Sequence, residues 1–400
     1  MPTRLRSSLL LAAAVAATLA AAPARASALV SGATVLDGPS GDVVSLDGVA
    51  MAEDGGGGLV YTKRVGGHVH VFVSRFADRA WQPPQRVDAG QPYDSSWPAI
   101  GAGNGGRLVV TWIHQFGAGV QNRMYSASLD PGATRFQAPI AIDLDVREGL
   151  DAAPWLSMAP GGAAYLVYRV VYARQSPALP PGTVDADVRI QRYGGSFWSL
   201  LGQPVDRVQA QPQAAPTALN GPRVETDQTG NAVVAWQEPD DQLIPRVYAR
   251  RVFGKVLGNV LQASPPDVEG TAGRVPLNAA ADQLSLAVSP FGEAIVGMRQ
   301  QPDAKSPWTR PRALVNMLPS SFADGAGSFI GARPVDGGGA DGPDPVGGAL
   351  GTLAVATGDD GGFDAVLGLG ARVVGVSGDE LAVGHPLRLD DGGGGAFDPL

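Results

Sequence analysis

The chain of 400 residues contains no cysteine, which excludes disulfides, thiolate metal centres and a lipid-anchored cysteine. Lysine is almost absent: Lys63, Lys255 and Lys305 stand alone among 30 basic residues, the rest being arginine. With the abundant Ala, Gly and Val, that bias points to a GC-rich bacterial coding sequence. Histidine occurs four times, too dispersed for a spacing-based zinc motif. Aromatic residues make up only 6%. Beyond residue 30 no apolar run reaches the 18 or so residues needed to span a bilayer, so no later membrane span is expected. No Gly-x-Ser-x-Gly elbow marks a nucleophile, and the glycine runs Gly55–Gly58 and Gly392–Gly395 lack the lysine and hydroxyl of a phosphate loop.

What is present starts with an export signal. Arg4 and Arg6 precede a short apolar core from Leu9 to Ala22, followed by small-residue cleavage sites at Ala24-Arg25-Ala26 and Ala26-Ser27-Ala28. Residues 1–28 are therefore expected to be removed, leaving a protein secreted or held in the cell envelope. Cleavage discards three of the 30 basic residues and none of the 38 acidic ones. The resulting negative surface repels phosphate backbones, which argues against a nucleic-acid partner. Hydrophobic residues at 44% suffice for a sizeable core, while 55 glycines and 33 prolines fall between short apolar runs, as in a chain of short strands and turns.

Those runs repeat. An apolar strand enters a glycine turn and leaves as a second strand ending in an aromatic or long residue, as in Gly101-Ala102-Gly103-Asn104 into Arg107–Trp112, or Thr226–Asn231 into Ala232–Trp236. Six such passages place turn glycines at Gly58, Gly106, Gly162, Gly230, Gly292 and Gly362, 48 to 70 residues apart, so the variable length lies in loops. A second hairpin follows, for example Val69–Val73 turning through Asp78-Arg79-Ala80 to Trp81. Two hairpins in series are one propeller blade. The expectation is an all-β, single β-propeller over residues 29–400 with about six four-stranded blades, five or seven being the range. The blades fall near 43–88, 96–143, 154–206, 222–263, 282–318 and 349–391, with a flexible Gly/Asp-rich insertion at 320–348 and a tail at 392–400. A strand from Leu29–Leu36 is expected to join the last blade.

Ser128-Leu129-Asp130-Pro131-Gly132-Ala133-Thr134-Arg135-Phe136 resembles the Asp box, Ser-x-Asp-x-Gly-x-Thr-Trp, of sialidase-like propellers, with one extra residue and Phe136 in place of tryptophan. Ser74–Trp81 is a poorer copy. The resemblance implies a propeller whose boxes are structural turns on the face away from any active site.

The blade meander places first-to-second and third-to-fourth turns on one plain face, and the second-to-third loops and blade connections on the other, where ligands usually bind. The candidate binding residues on that decorated face are Arg64, Trp97, His114, Arg169, Glu238 and Arg299. Trp112, Trp236 and Tyr168 read as blade packing, and Trp97 and Trp308 as exposed stacking surfaces. Asp143, Asp145, Glu148 and Asp151 offer oxygen ligands for calcium without the spacing of an EF-hand; no other cofactor is expected. Two functions compete. One is a secreted binding or scaffold module for an extracellular glycan or protein. The other is a sialidase-like glycoside hydrolase acting on extracellular glycans. The sialidase resemblance implies an arginine triad, for which Arg64, Arg169 and Arg299 stand in three blades with Glu238 across the ring. The family's Arg-Ile-Pro is replaced by Tyr61-Thr62-Lys63-Arg64, and no tyrosine sits beside a glutamate.

Overall fold

A computed structural model describes residues 35–388, apart from 117–120, 143–148, 151–152, 172–182, 208–210, 215–220, 271–272, 278, 303–304, 306–307, 321–326, 339–349, 360–361, 371, 380–382 and 385–386. The export segment 1–28, the residues 29–34 expected to begin an edge strand, the acidic run Asp143, Asp145, Glu148 and Asp151, and the tail 392–400 lie outside the described residues. Val35 and Leu36 are described and are not in a strand.

Among the described residues from 40 onward, six antiparallel sheets of four or more strands follow one another along the chain, each built on a meander, besides one two-stranded hairpin. Sheet 1 comprises Val43–Met51, Gly57–Val65, His68–Ala77 and Ala80–Trp81; sheet 2 comprises Ser95–Gly103, Arg107–Phe116, Gln121–Leu129 and Ile140–Ala141. Sheet 3 runs Trp155–Met158, Ala164–Val171, Thr183–Tyr193 and Trp198–Leu200, and sheet 4 runs Arg223–Thr226, Ala232–Pro239, Pro245–Phe253 and Val256–Leu257. Sheet 5 contains Ala281–Val288, Ala294–Gln300, Arg312–Leu318 and Arg333–Pro334; sheet 6 contains Leu350–Thr357, Phe363–Leu369, Arg372–Gly378 and Leu387–Arg388. Five apolar clusters join consecutive sheets, from sheet 1 on sheet 2 to sheet 5 on sheet 6. Face-to-face packing of successive meanders is the propeller architecture.

That packing explains the sequence pattern. A second strand has a neighbouring sheet on each face, so it reads as a continuous apolar run: all eight residues of Ala232–Pro239 are buried. Trp112 and Trp236 are fully buried there and Tyr168 nearly so, as expected for packing residues. The inner strand of sheet 1 has no such cover, and Val44, Leu46, Val49 and Met51 are exposed.

Turns on the plain face are tied to one another. Asp54 accepts a 2.6 Å hydrogen bond from the Gly105 amide, Asn104 N donates to Pro160 O at 2.9 Å, and Gln228 N donates to Pro290 O at 3.2 Å. The amides of Gly56 and Gly105 hold the Asp54 carboxyl below its ordinary range. Gly106, Gly162, Gly230 and Gly292 have the positive φ expected of hairpin glycines. Gly58 does not. It lies inside the second strand of sheet 1, where a Cβ would come within 2.9 Å of Ile100 Cδ1, and Gly55 supplies the turn at φ 81°. That glycine serves close sheet packing instead.

Three further expectations change. Arg333–Pro334, placed within the flexible insertion, is the fourth strand of sheet 5, and the flanking Ala332, Val335 and Asp336 are buried. Trp308 is only 3% exposed, with the Arg312 guanidinium 4.8 Å above its ring. An additional hairpin, Asp267–Gly270 with Gly273–Pro276, inserts Val268 and Val275 between sheets 4 and 5.

Arg312 is the most deeply committed cation of the fold. It donates from Nε to Asp336 Oδ2 at 2.7 Å and from a terminal nitrogen to Oδ1 at 2.6 Å, with both side chains fully buried. Arg312→Ala would leave Asp336 charged in the core. We expect a loss of about 3–5 kcal/mol in urea unfolding; a loss below about 1 kcal/mol would mean that the pair is not formed in solution.

Candidate functional site

Of the residues expected on the decorated face, Arg64, His114, Arg169, Glu238 and Arg299 occupy equivalent places, at or near the ends of second strands. Arg64 is exposed and donates to Gly67 O in its own hairpin at 3.2 Å. Arg299 forms a forked pair with Asp282 of its own sheet, both bonds 2.6 Å, and that carboxylate raises the arginine's pKa. Arg169 is buried within sheet 3. Two of the three arginines expected to clamp a substrate carboxylate are thus already engaged within their own sheets. Trp97 is 42% exposed on the inner strand of sheet 2, at a bulge where its φ is 49°.

His114 belongs to a buried network between sheets 1 and 2. His70 Nδ1 lies 2.9 Å from Asp88 Oδ2, Ser95 Oγ donates to the same oxygen at 2.8 Å, and His114 Nδ1 is 3.4 Å from that hydroxyl. Ser95 spends its proton on Asp88, so this is not a nucleophile aimed at a base. Burial lowers the His114 pKa, leaving a neutral imidazole.

A recurrent pair underlies this network. In sheets 1 and 5 the residue after a buried valine, Val87 or Val335, pairs with the residue that precedes a buried position of the third strand. The pair is His70 with Asp88 in sheet 1 and Arg312 with Asp336 in sheet 5. In sheet 4 the acid is replaced by Ser264, whose Oγ accepts from Val247 N at 2.9 Å, and Arg246 turns to Asp240 at 2.8 Å. Sheet 3 breaks the rule: Asp206 meets Asp187. Asp206 is 6% exposed, and neither carboxyl oxygen has a hydrogen-bond partner of normal geometry. Burial, then the charges of Asp187 and Glu238, push its pKa up to about 8. Glu238 is buried beside it, raised by burial although it accepts from Trp236 Nε1 at 2.7 Å and from Arg207 N at 2.9 Å.

The more accessible chemistry lies on the inner strands. Four of them border a cavity of about 410 Å³ lined by Asp47, Val49, Met51, Ile100, Trp155 and Glu225, among others. Glu225 is half-buried; Trp155 Nε1 donates to its Oε1 at 3.0 Å and Ser157 Oγ to its Oε2 at 2.9 Å. Desolvation outweighs both donors and pushes its carboxyl up to about 7. Desolvation also raises Asp47, whose oxygens each lie 2.9 Å from Ser45 Oγ. Trp155 is 38% exposed at the cavity wall, and the Arg223 guanidinium stacks 4.2 Å from its ring. Arg223 is itself occupied, donating to the carbonyls of Gly221 and Pro222 at 3.0 and 3.2 Å. Two carboxyls of raised pKa beside an open indole can exchange protons with, and stack against, one bound molecule.

None of these three cavity residues was expected from the sequence. Their signal was strand alternation: Glu225 follows the fully buried Val224, and so points to the opposite face. Among the described residues, no three His, Asp or Glu side chains are placed to hold a metal ion, and no helix is long and apolar enough to cross a membrane.

No protein-family model and no curated protein matches the chain. Solved structures resemble it at low identity. An ulvan lyase of polysaccharide lyase family PL25 is 14% identical over 84% of this chain and 79% of its own, with a TM-score of 0.46. The Penicillium chrysogenum α-L-arabinanase complexed with arabinobiose is 12% identical over 76% and 80%, with a TM-score of 0.40. A Hadza microbial sialidase is 15% identical over 80% of this chain and 62% of its own, with a TM-score of 0.38. The chain therefore spans under two thirds of that sialidase.

Proposed function

We propose that this is an exported glycan-cleaving propeller whose reaction takes place in the inner-strand cavity. One observation carries the reading: Asp47 and Glu225, both raised, share a cavity wall with the half-exposed Trp155. Glycoside hydrolysis needs two carboxyl groups in different protonation states and a surface on which a sugar ring rests. With a pKa near 7, Glu225 carries its proton in a large share of molecules at neutral pH. It gives that proton to the departing glycosidic oxygen as the bond to the anomeric carbon breaks. The Asp47 carboxylate offsets the positive charge developing on the sugar, and water adds at that carbon and releases one proton.

The test is direct. The purified protein, incubated with a panel of extracellular polysaccharides, is expected to release oligosaccharides detectable by anion-exchange chromatography. Binding without release from any member would instead support a glycan-binding module, and no interaction at all would reject the reading.

A further inference from the structure

The cavity's charge says which glycans it admits. Among its described lining residues there is no lysine, arginine or histidine; the charged groups are Asp47 and Glu225 alone. Arg223, a cation beside the cavity, is outside the lining, with its guanidinium against Trp155 and a terminal nitrogen on two carbonyls. Beyond the carboxyls and Ser157, the wall is apolar side chain and glycine: Val49, Met51, Ile100 and Met158 with Gly48 and Gly101. The chain as a whole adds to the effect, carrying a formal charge of −8. A carboxylate or sulfate entering this space meets two acidic side chains and no cation among the described lining residues. Placing an unpaired anion beside groups of like charge is unfavourable. A sugar bearing only hydroxyls meets no such penalty. Its hydroxyls donate to the carboxyl oxygens and its apolar ring face covers the indole.

We infer that the site selects uncharged glycans and rejects sialylated, uronic and sulfated ones. This rests on the glycan reading of the same cavity. It also fits the decorated face, where Arg64 and Arg299 are engaged within their own sheets.

The experiment is a glycan array carrying neutral, sialylated, uronic and sulfated members, probed with the labelled full chain at pH 6, alongside Trp155→Ala and Asp47→Asn. Signal confined to neutral glycans, at least about tenfold above acidic ones, is expected. It should vanish in Trp155→Ala, and the gap between the classes should narrow in Asp47→Asn. Acidic glycans bound as well as or better than neutral ones, still dependent on Trp155, would overturn the selectivity while keeping the site. Signal unaffected by Trp155→Ala would overturn the cavity as the binding place. Absence of any signal would overturn the glycan reading itself.

Discussion

Glu225→Gln is expected to reduce glycan cleavage by at least about 100-fold while the protein still folds, the usual range for losing a general acid. The amide has the same shape, keeps one oxygen for Trp155 Nε1, turns its NH2 to the Ser157 hydroxyl, which can accept instead of donate, and cannot deliver a proton. A purely structural glutamate would give a different result, a lower Tm with activity retained in the folded fraction. The pH profile separates the two further. The wild-type rate should fall above the carboxyl's pKa of about 7, because the acid form is the working one. Ser157→Ala removes a donor that favours the ionised form, so the alkaline limb should move to higher pH. An alkaline limb unchanged in Ser157→Ala would disconnect Glu225 from the rate.

Asp206→Asn is expected to stabilise the protein at neutral and alkaline pH. The carboxyl has a folded pKa of about 8 against an ordinary 3.8, so the folded chain keeps a proton that the unfolded chain releases. The sign follows: the contribution of Asp206 is most favourable below pH 4 and is lost as pH rises through 8. Each pH unit between those limits costs about 1.4 kcal/mol from this group. Glu238 and Glu225 are also raised and add slopes of the same sign. Wild-type Tm should therefore fall from pH 5 to pH 8. Asparagine, which needs no proton to sit uncharged beside Asp187, should flatten part of that fall and raise Tm at pH 8 by several degrees. A Tm lower than wild type at pH 8 would show that ionised Asp206 has a partner in solution. Sheets 1 and 5 supply the contrast, since His70 and Arg312 occupy the position that Asp187 takes in sheet 3.

The fold was legible because its signals are local and repeated. Glycine turns between apolar strands gave the meanders, and runs such as Ala232-Val233-Val234-Ala235-Trp236 marked second strands buried on both faces. Where a residue's job depends on another sheet, the chain alone misled. Gly58 reads as a turn glycine, yet what demands glycine there is Ile100 of the next sheet. Arg333–Pro334 sits in a Gly/Asp-rich stretch with little apolar content, yet the buried Asp336 that follows it is held by Arg312, 24 residues back. Trp308 looked like a connecting-segment aromatic and is instead a platform under that arginine.

The site followed the same logic. Arg64, His114, Arg169, Glu238 and Arg299 lie at or near second-strand ends, but most have partners within or beside their own sheets, and repeat position does not reveal partners. Asp47, Trp155 and Glu225 come from three inner strands, the first and last 178 residues apart in sequence, and only the packing of sheets 1 to 4 brings them to one cavity. No motif spacing encodes such a meeting. Period-two alternation could have shown that each faces away from its strand's buried side.

A glutamic acid kept protonated near neutrality inside the cavity is what the account depends on. An isotope-edited infrared titration, taken as the difference between wild type and Glu225→Gln, reads that carboxyl alone. The account predicts a protonated C=O band for Glu225 that disappears with a midpoint near pH 7. A midpoint near 4.5, the ordinary glutamate value, would leave no acid in the cavity at neutral pH and would contradict it.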